Sequence, residues 1–301
     1  MRVLITGATG FVGSQLVARL RREGHECVIL TRDVAAAEKK LGQGKDRFVA
    51  WDARSPLPED VFENIDAAVN LVGESIAAKR WSPAQKQRII DSRINATRAL
   101  VAGLKKRGTT LISASAIGFY PVNRPEALDE SASPGEGFMP EICQRWEAET
   151  DSLAEGVRKV ILRIGVVVGR QGGMMQKLLP VFRLGAGGPV GNGQQMMSWI
   201  HVDDLVGIIM HALSHEEMSG VYNAVAPQPV TNREFSKQLG QALKRPAFFA
   251  APAFAMRLAM GEMADVVLDA QNISATKVRD EAGYQFQYPD MRSALAEVVS
   301  A

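Results

Sequence analysis

The chain opens on Thr6-Gly7-Ala8-Thr9-Gly10-Phe11-Val12-Gly13, three glycines at a GxxGxxG spacing. Glycines so placed do phosphate chemistry when a strand precedes them and a helix follows. The first permits a tight turn, the second lets the backbone approach a pyrophosphate, and the third lets helix and strand pack closely. The helix N-terminus adds unpaired N–H groups and the positive end of its dipole. Residues 2–6 read as a strand and 11–22 as an amphipathic helix, which is the context the motif requires. Gly7, Thr9, Gly10, Phe11, Val12 and Gly13 are therefore the expected contacts of a dinucleotide.

The end of the second strand selects the dinucleotide. An NAD site usually carries Asp or Glu there, about twenty residues beyond the glycines, to bond the ribose 2′-hydroxyl. Here Cys27-Val28-Ile29-Leu30 ends in Thr31-Arg32. A guanidinium suits a 2′-phosphate, which it grips with charge-assisted hydrogen bonds. Asp33, one position later, is the competing ribose partner. Thr31 and Arg32 point to NADP as cofactor, with NADPH favoured over NADH.

Other reactive side chains offer less. Cys27 and Cys143 cannot make a disulfide framework and lack metal-ligand spacing. His211 and His215 stand at i,i+4 without the glutamate of a zinc-protease helix, so they read as surface histidines and no metal is expected. His201 reads as a satisfied buried histidine. The run Ser113-Ala114-Ser115-Ala116-Ile117-Gly118-Phe119-Tyr120 places Ser115, a candidate catalytic hydroxyl, at the end of a strand. Met174, Met175, Met196 and Met197 flank a glycine-rich crossing at 169–193 and read as gap fillers, the alternative being an adaptable lid.

These groups must be held by repeated strand–helix units. Short β-branched runs at 2–6, 26–31, 47–51, 67–72, 110–115 and 158–164 alternate with helical patterns, which implies a parallel sheet. The clearest helix runs from 82 to about 107. Ile90, Ile94, Thr97, Val101 and Leu104 make its buried stripe, Ser82-Pro83 its start and Gly108 its stop. A short apolar helix is expected at 174–184, a helix at 204–213 capped by Asp203, and a seventh strand at 221–226. After 226 the pattern is helical, with 248–263 reading as a core helix and no further strand. The fold class is α/β: a doubly wound parallel-sheet Rossmann domain (1–165 plus about 201–226) with a smaller, mainly helical C-terminal lobe (about 166–200 plus 227–301).

With 35 Lys+Arg against 33 Asp+Glu, the formal charge is only +2, and 46% of residues are hydrophobic. That is ordinary globular composition. No basic surplus exists to hold a phosphate backbone, so no nucleic-acid partner is expected. No apolar run approaches the ~18 residues of a membrane span, so no membrane partner is expected either. The N-terminus enters the glycine turn too soon for a signal h-region, and a cytoplasmic location is the expectation.

The opening TGATGFVG resembles the extended short-chain dehydrogenase/reductase superfamily, which includes nucleotide-sugar epimerases. Asn70-Leu71-Val72-Gly73-Glu74, Arg80-Trp81, Ser92-Arg93 and the run 162–169 (LRIGVVVG) are similar to one branch of it. So are 198–204 (SWIHVDD) and 222–227 (YNAVAP). That branch comprises epimerase-like NAD(P)-binding proteins ending in a C-terminal domain of unknown function, which residues 252–301 resemble. The resemblance implies that Leu71, Val72 and Gly73 line the cofactor, with Gly73 allowing close backbone approach. It also implies that Arg93 reaches a phosphate or a backbone carbonyl, the alternative being a structural ion pair with an acid.

Superfamily members of known chemistry use a serine after the fifth strand and a Tyr-x-x-x-Lys on the next helix, where lysine lowers the tyrosine pKa. Ser115 is available for the first role, although alignment on Tyr120 puts Ala116 at the usual serine position. Cys143 holds the tyrosine position and Glu147 the lysine position. A carboxylate raises a neighbouring thiol's pKa, so Cys143 reads as a small buried side chain. Glu147 acting alone as a base and Tyr120 supplying a phenol are the remaining options. The functional expectation is an NADP(H)-binding epimerase-like oxidoreductase acting on a small molecule. The alternative is a non-catalytic NADP(H)-binding redox sensor.

Overall fold

The computed structural model describes residues 1–300. Its first half alternates strands and helices: β1 (Arg2–Thr6), α1 (Phe11–Arg22), β2 (Glu26–Thr31), α2 (Val34–Leu41), β3 (Arg47–Ala50) and β4 (Ala67–Asn70). Then follow α3 (Pro83–Gly103), β5 (Thr110–Ala116), α4 (Phe138–Ala148) and β6 (Arg158–Ile164). The second half runs β7 (Val166–Val168), α5 (Met175–Arg183), β8 (Met196–Met197), β9 (Trp199–His201), α6 (Val202–Ser214) and β10 (Gly220–Ala224). It closes with β11 (Val230–Thr231), α7 (Asn232–Leu243), α8 (Ala253–Met260), α9 (Asp265–Leu268) and α10 (Met291–Val299).

Seven strands form one parallel sheet in the order β10-β6-β5-β4-β1-β2-β3. Both faces of the sheet are covered, which is why its strands are near-continuous apolar runs rather than alternating ones. Val3 and Ile5 pack with Leu16 and Leu20 of α1 and Ile208 and Ile209 of α6. Leu4, one register position away, faces the other side with Ala96 and Leu100 of α3. All are inaccessible to solvent, and each large side chain so buried contributes about 1.5–3 kcal/mol.

α3 starts where its sequence signals place it: the Ser82 hydroxyl accepts from the Gln85 N–H at 3.2 Å, with proline in the first turn. It stops at Gly103, four residues before the expected end. A Cβ on Gly103 would overlap the Phe62 ring, and Leu104 turns into the core at 2% exposure. α6 differs from expectation in its cap. It begins at Val202, and the His201 ring, not Asp203, accepts from the Asp203 N–H at 3.3 Å. His201 is buried, as expected, and also bonds Glu297 of α10 at 3.1 Å.

The lobe has its own core, in which Met175, Leu179 and Phe182 of α5 meet Phe235 and Leu239 of α7 and Leu295 and Val298 of α10. The methionines act there as gap fillers: Met175 is fully buried, with Met174 and Met197 packed beside it. Ile273, Ala275, Val278 and Tyr284 cross back to the core against the sheet. Two expectations fail here. A further strand exists after 226, because β11 pairs antiparallel with β8. And 248–263 is not a core helix. α8 occupies only Ala253–Met260 and has no buried residue, while Phe248, Phe249 and Phe254 are exposed. The space a core helix would need is already filled by α5, α7 and α10.

Candidate functional site

The sheet order reverses between β1 and β4, which leaves a crevice beyond their carboxyl ends. The glycine turn lies there, and the three glycines do different things. Gly7 has φ +70°, and a Cβ on it would stand 2.7 Å from the Leu71 carbonyl oxygen. A Cβ on Gly13 would overlap the Gly7 carbonyl. Gly10 is exposed, and its Cβ would meet only Gly7 O, at 3.1 Å. Gly10 also begins α1 with no side-chain cap, so the first-turn N–H groups are left for an anion. Thr9 and Val12 flank this open face. The Phe11 side chain turns away from it and packs against the glycine-rich crossing, where a Cβ on Gly169 would stand 2.7 Å from its ring.

At the end of β2, the competing ribose partner is already engaged. Asp33 caps α2, its Oδ1 accepting from the Ala36 N–H at 3.0 Å. Thr31 turns back on Asp33, whose N–H it accepts at 3.3 Å. Arg32 is exposed beside them. Lys40 of α2 reaches across to donate to the Thr9 carbonyl at 2.9 Å, which brings a second cation to the glycine turn. An uncapped helix N-terminus, a glycine with an open face and cations at the β2 end fit a phosphorylated dinucleotide.

The loop after β4 is fixed from beneath by a buried polar chain. Thr6 Oγ1 donates to Asn70 Oδ1 at 2.8 Å, and Asn70 Nδ2 donates to Thr97 Oγ1 at 2.8 Å. Trp146 Nε1 donates to the same Thr97 oxygen at 2.9 Å. This holds Leu71 and Val72 over Gly7. Gly73 makes room for something other than expected: a Cβ there would stand 2.9 Å from Arg93 Cζ. Arg93 Nη1 donates to the carbonyls of Glu74 and Ile89, each at 3.0 Å, so its partners are backbone carbonyls rather than an acid. Burial lowers its guanidinium pKa from the ordinary value.

Beyond β5 and β6 lies a second network. Ser115 and Arg163 are register partners at the ends of those strands. The Ser115 hydroxyl donates to Glu147 Oε1 at 2.5 Å. Arg163 holds both carboxylate oxygens of Glu147, Nε to Oε1 and Nη2 to Oε2, at 2.9 Å each. Arg163 Nη1 also donates to the Tyr120 hydroxyl at 2.9 Å, which donates to Asn223 Oδ1 at 2.7 Å. Tyr120 is fully buried, and burial pushes its phenol pKa up, so it is not a surface-presented phenol. Cys143 is buried as expected. Burial first, and Glu147 second, push its thiol up to about 12.

Arg163 and Asn223 are the residues that sequence reasoning passed over as parts of longer motifs. The signal was present: a charge inside the apolar strand Arg158–Ile164, and a carboxylate on the buried side of α4 to match it. A cavity of about 650 Å³ opens elsewhere, by Ile65 and Thr109 at the amino ends of β4 and β5. It has no part in this site.

Residues 3–224 match the model of the NAD dependent epimerase/dehydratase family, and 251–298 match a domain of unknown function, DUF1731. The chain is 38% identical to the epimerase family protein SDR39U1 homolog, chloroplastic, of Arabidopsis thaliana, over 99% of this chain and 87% of that protein. It is 36% identical to the human epimerase family protein SDR39U1, over the full length of both. A crystal structure of human SDR39U1 (isoform 2) with NADPH superposes with a TM-score of 0.89 at 34% identity, covering 100% of this chain and 99% of that one. A UDP-glucuronic acid 4-epimerase from Bacillus cereus, at 17% identity and a TM-score of 0.83, shares the fold. The glycine turn at the sheet's reversal point and these full-length matches together place the chain in the NAD-dependent epimerase/dehydratase family, in its epimerase-like SDR branch with the DUF1731 ending.

Proposed function

We propose that the protein is an NADP(H)-dependent oxidoreductase or epimerase of a small molecule, in which Ser115 and Glu147 replace the Tyr–Lys pair. The observation that carries this reading is the Ser115–Glu147–Arg163 chain at the carboxyl ends of β5 and β6. NADPH binding is supported by the exposed Arg32, by the commitment of Asp33 to capping α2, and by the NADPH in the human relative's structure. When bound, the cofactor supplies or accepts the hydride. Ser115 is 3% exposed with its proton pointing at Glu147, and its oxygen is the atom that a substrate hydroxyl would meet. As that hydroxyl is oxidised, its proton passes to Ser115 Oγ while the serine proton passes to Glu147. Reduction of a carbonyl runs the same transfers backwards. Arg163 balances the carboxylate charge at the resting stage.

A sensor that binds NADP(H) without turnover is the second reading. It is favoured by Cys143 and Glu147 standing where tyrosine and lysine do the chemistry elsewhere in the superfamily. A screen of small carbonyl compounds and alcohols for substrate-dependent NADPH oxidation or NADP⁺ reduction tests the enzyme. Activity that falls at least ~100-fold in Ser115→Ala, with cofactor affinity kept, is the expected result. Absence of turnover, with partner capture that changes between NADPH and NADP⁺, establishes the sensor.

A further inference from the structure

Seven of the nine large hydrophobic side chains exposed among the described residues fall between 181 and 266. They include Leu184 at 85%, Phe248 at 70%, Phe254 at 74% and Leu258 at 77%. α8 is the sharpest case. Seven of its eight residues are apolar, Arg257 being the exception, yet none is buried. A helix apolar all round belongs inside a core or against another apolar phase. α8 is nevertheless firmly attached at its end: Lys86 of α3 pairs with Glu262 at 2.5 Å, and Arg80 donates to the Leu258 carbonyl at 3.4 Å.

The segment before α8 carries the same character together with charge. Phe248 and Phe249 lie with ring centroids 4.5 Å apart, and the Phe249 N–H donates to the Gly187 carbonyl at 3.2 Å. That bond sets the pair beside the turn holding Leu184. Phe248 also walls a hollow of about 360 Å³ whose charged lining residues are Lys237, Lys244 and Arg245, with no carboxylate. From Arg233 to Leu258 the chain has five cations and one carboxylate, Glu234, which is spent in the capping box with Thr231. The whole chain is only +2, so this bias is local.

We propose that this face, the Phe248–Phe249 pair with Leu184 and the Lys237–Lys244–Arg245 hollow, docks on an anionic phospholipid surface. Exposed rings enter the headgroup boundary while the cations meet lipid phosphates. No helix of the described chain is long and apolar enough to cross a membrane, and lying on a bilayer requires none. The charge decides between occupants: an apolar face of a second copy would bring these cations against their like, whereas an anionic bilayer complements them.

The test is co-sedimentation of the full chain with vesicles of phosphatidylcholine alone or with phosphatidylglycerol added. Binding to the phosphatidylglycerol vesicles only, weakened by salt, is expected. Lys244→Ala with Arg245→Ala lowers it by roughly fivefold per cation removed. Phe248→Ser with Phe249→Ser lowers it by roughly tenfold. Retention of the wild-type thermal unfolding transition in both variants separates lost docking from lost fold. Equal binding to neutral vesicles, no binding to either, or a dimer in light scattering that the Phe248/Phe249 variant dissociates, overturns the proposal.

Discussion

Arg163 meets Glu147 in a two-point ion pair, both N···O distances 2.9 Å, with the arginine side chain 5% exposed and the carboxylate 12%. The Glu147 carboxylate on α4 thus takes its counter-charge from β6. Arg163 also donates to the Tyr120 hydroxyl, but burial outweighs that donor and keeps the phenol's pKa raised.

Removing one partner of a buried pair leaves the other uncompensated. Glu147→Gln is expected to lower the unfolding free energy by about 3–5 kcal/mol, measured by denaturant titration. Glu147→Lys sets a second cation against Arg163 and is expected to cost more, so adding Cys143→Tyr to it restores no conventional activity. A loss below about 1 kcal/mol for Glu147→Gln contradicts the assignment of the pair as a structural unit.

Cofactor choice rests on Arg32. Arg32→Ala should weaken NADPH binding by about 1–3 kcal/mol and leave NADH binding almost unchanged. Asp33→Ala removes the α2 cap, costing about 1 kcal/mol of stability, without altering the ratio of the two affinities. Calorimetric titration with both cofactors measures this. Equal losses for NADPH and NADH in Arg32→Ala remove the 2′-phosphate assignment.

The open face of Gly10 makes a separate prediction. Gly10 has an extended backbone, φ −74°, so a side chain there is not strained by conformation. It projects instead over the uncapped end of α1. Gly10→Val should fold and bind neither cofactor, whereas Gly7→Val, at φ +70° and against Leu71, should fail to fold. A folded Gly10→Val that binds NADPH normally places the dinucleotide elsewhere.

Both thiols should be inert in the native state. Burial comes first for each, with Asp46 beside Cys27 and Glu147 beside Cys143, and pushes each up to about 12. Iodoacetamide should label neither at pH 6–8 and both after denaturation. Because the unfolded thiols ionise near pH ~8.5, stability from these groups is complete below that pH and declines as the pH rises towards 12. The loss amounts to about 1–2 kcal/mol per thiol by about pH 10. Rapid native labelling of Cys143 at pH 6, on a Cys27→Ser background, would reveal a stabilised thiolate and reopen its catalytic role.

The sequence by itself determined the strand–helix alternation and the glycine turn, because both are local. Apolar spacing marks the faces of α1 and α3, and a glycine at a fixed offset marks a turn that other residues cannot take. It also determined that Cys143 and Glu147 stand four residues apart on one helix. The tertiary structure decided what Glu147 meets. Glu147 and Arg163 lie sixteen residues apart on different elements, and only the pairing of β5 with β6 under α4 makes them partners. The same limit explains Gly73, whose open side is taken by Arg93 from α3. It explains α8 as well: composition announces a buried helix, but burial depends on what else competes for the core, and α5, α7 and α10 had filled it. Periodicity specifies which side of an element is apolar; whether anything covers that side is settled only when the other elements have packed.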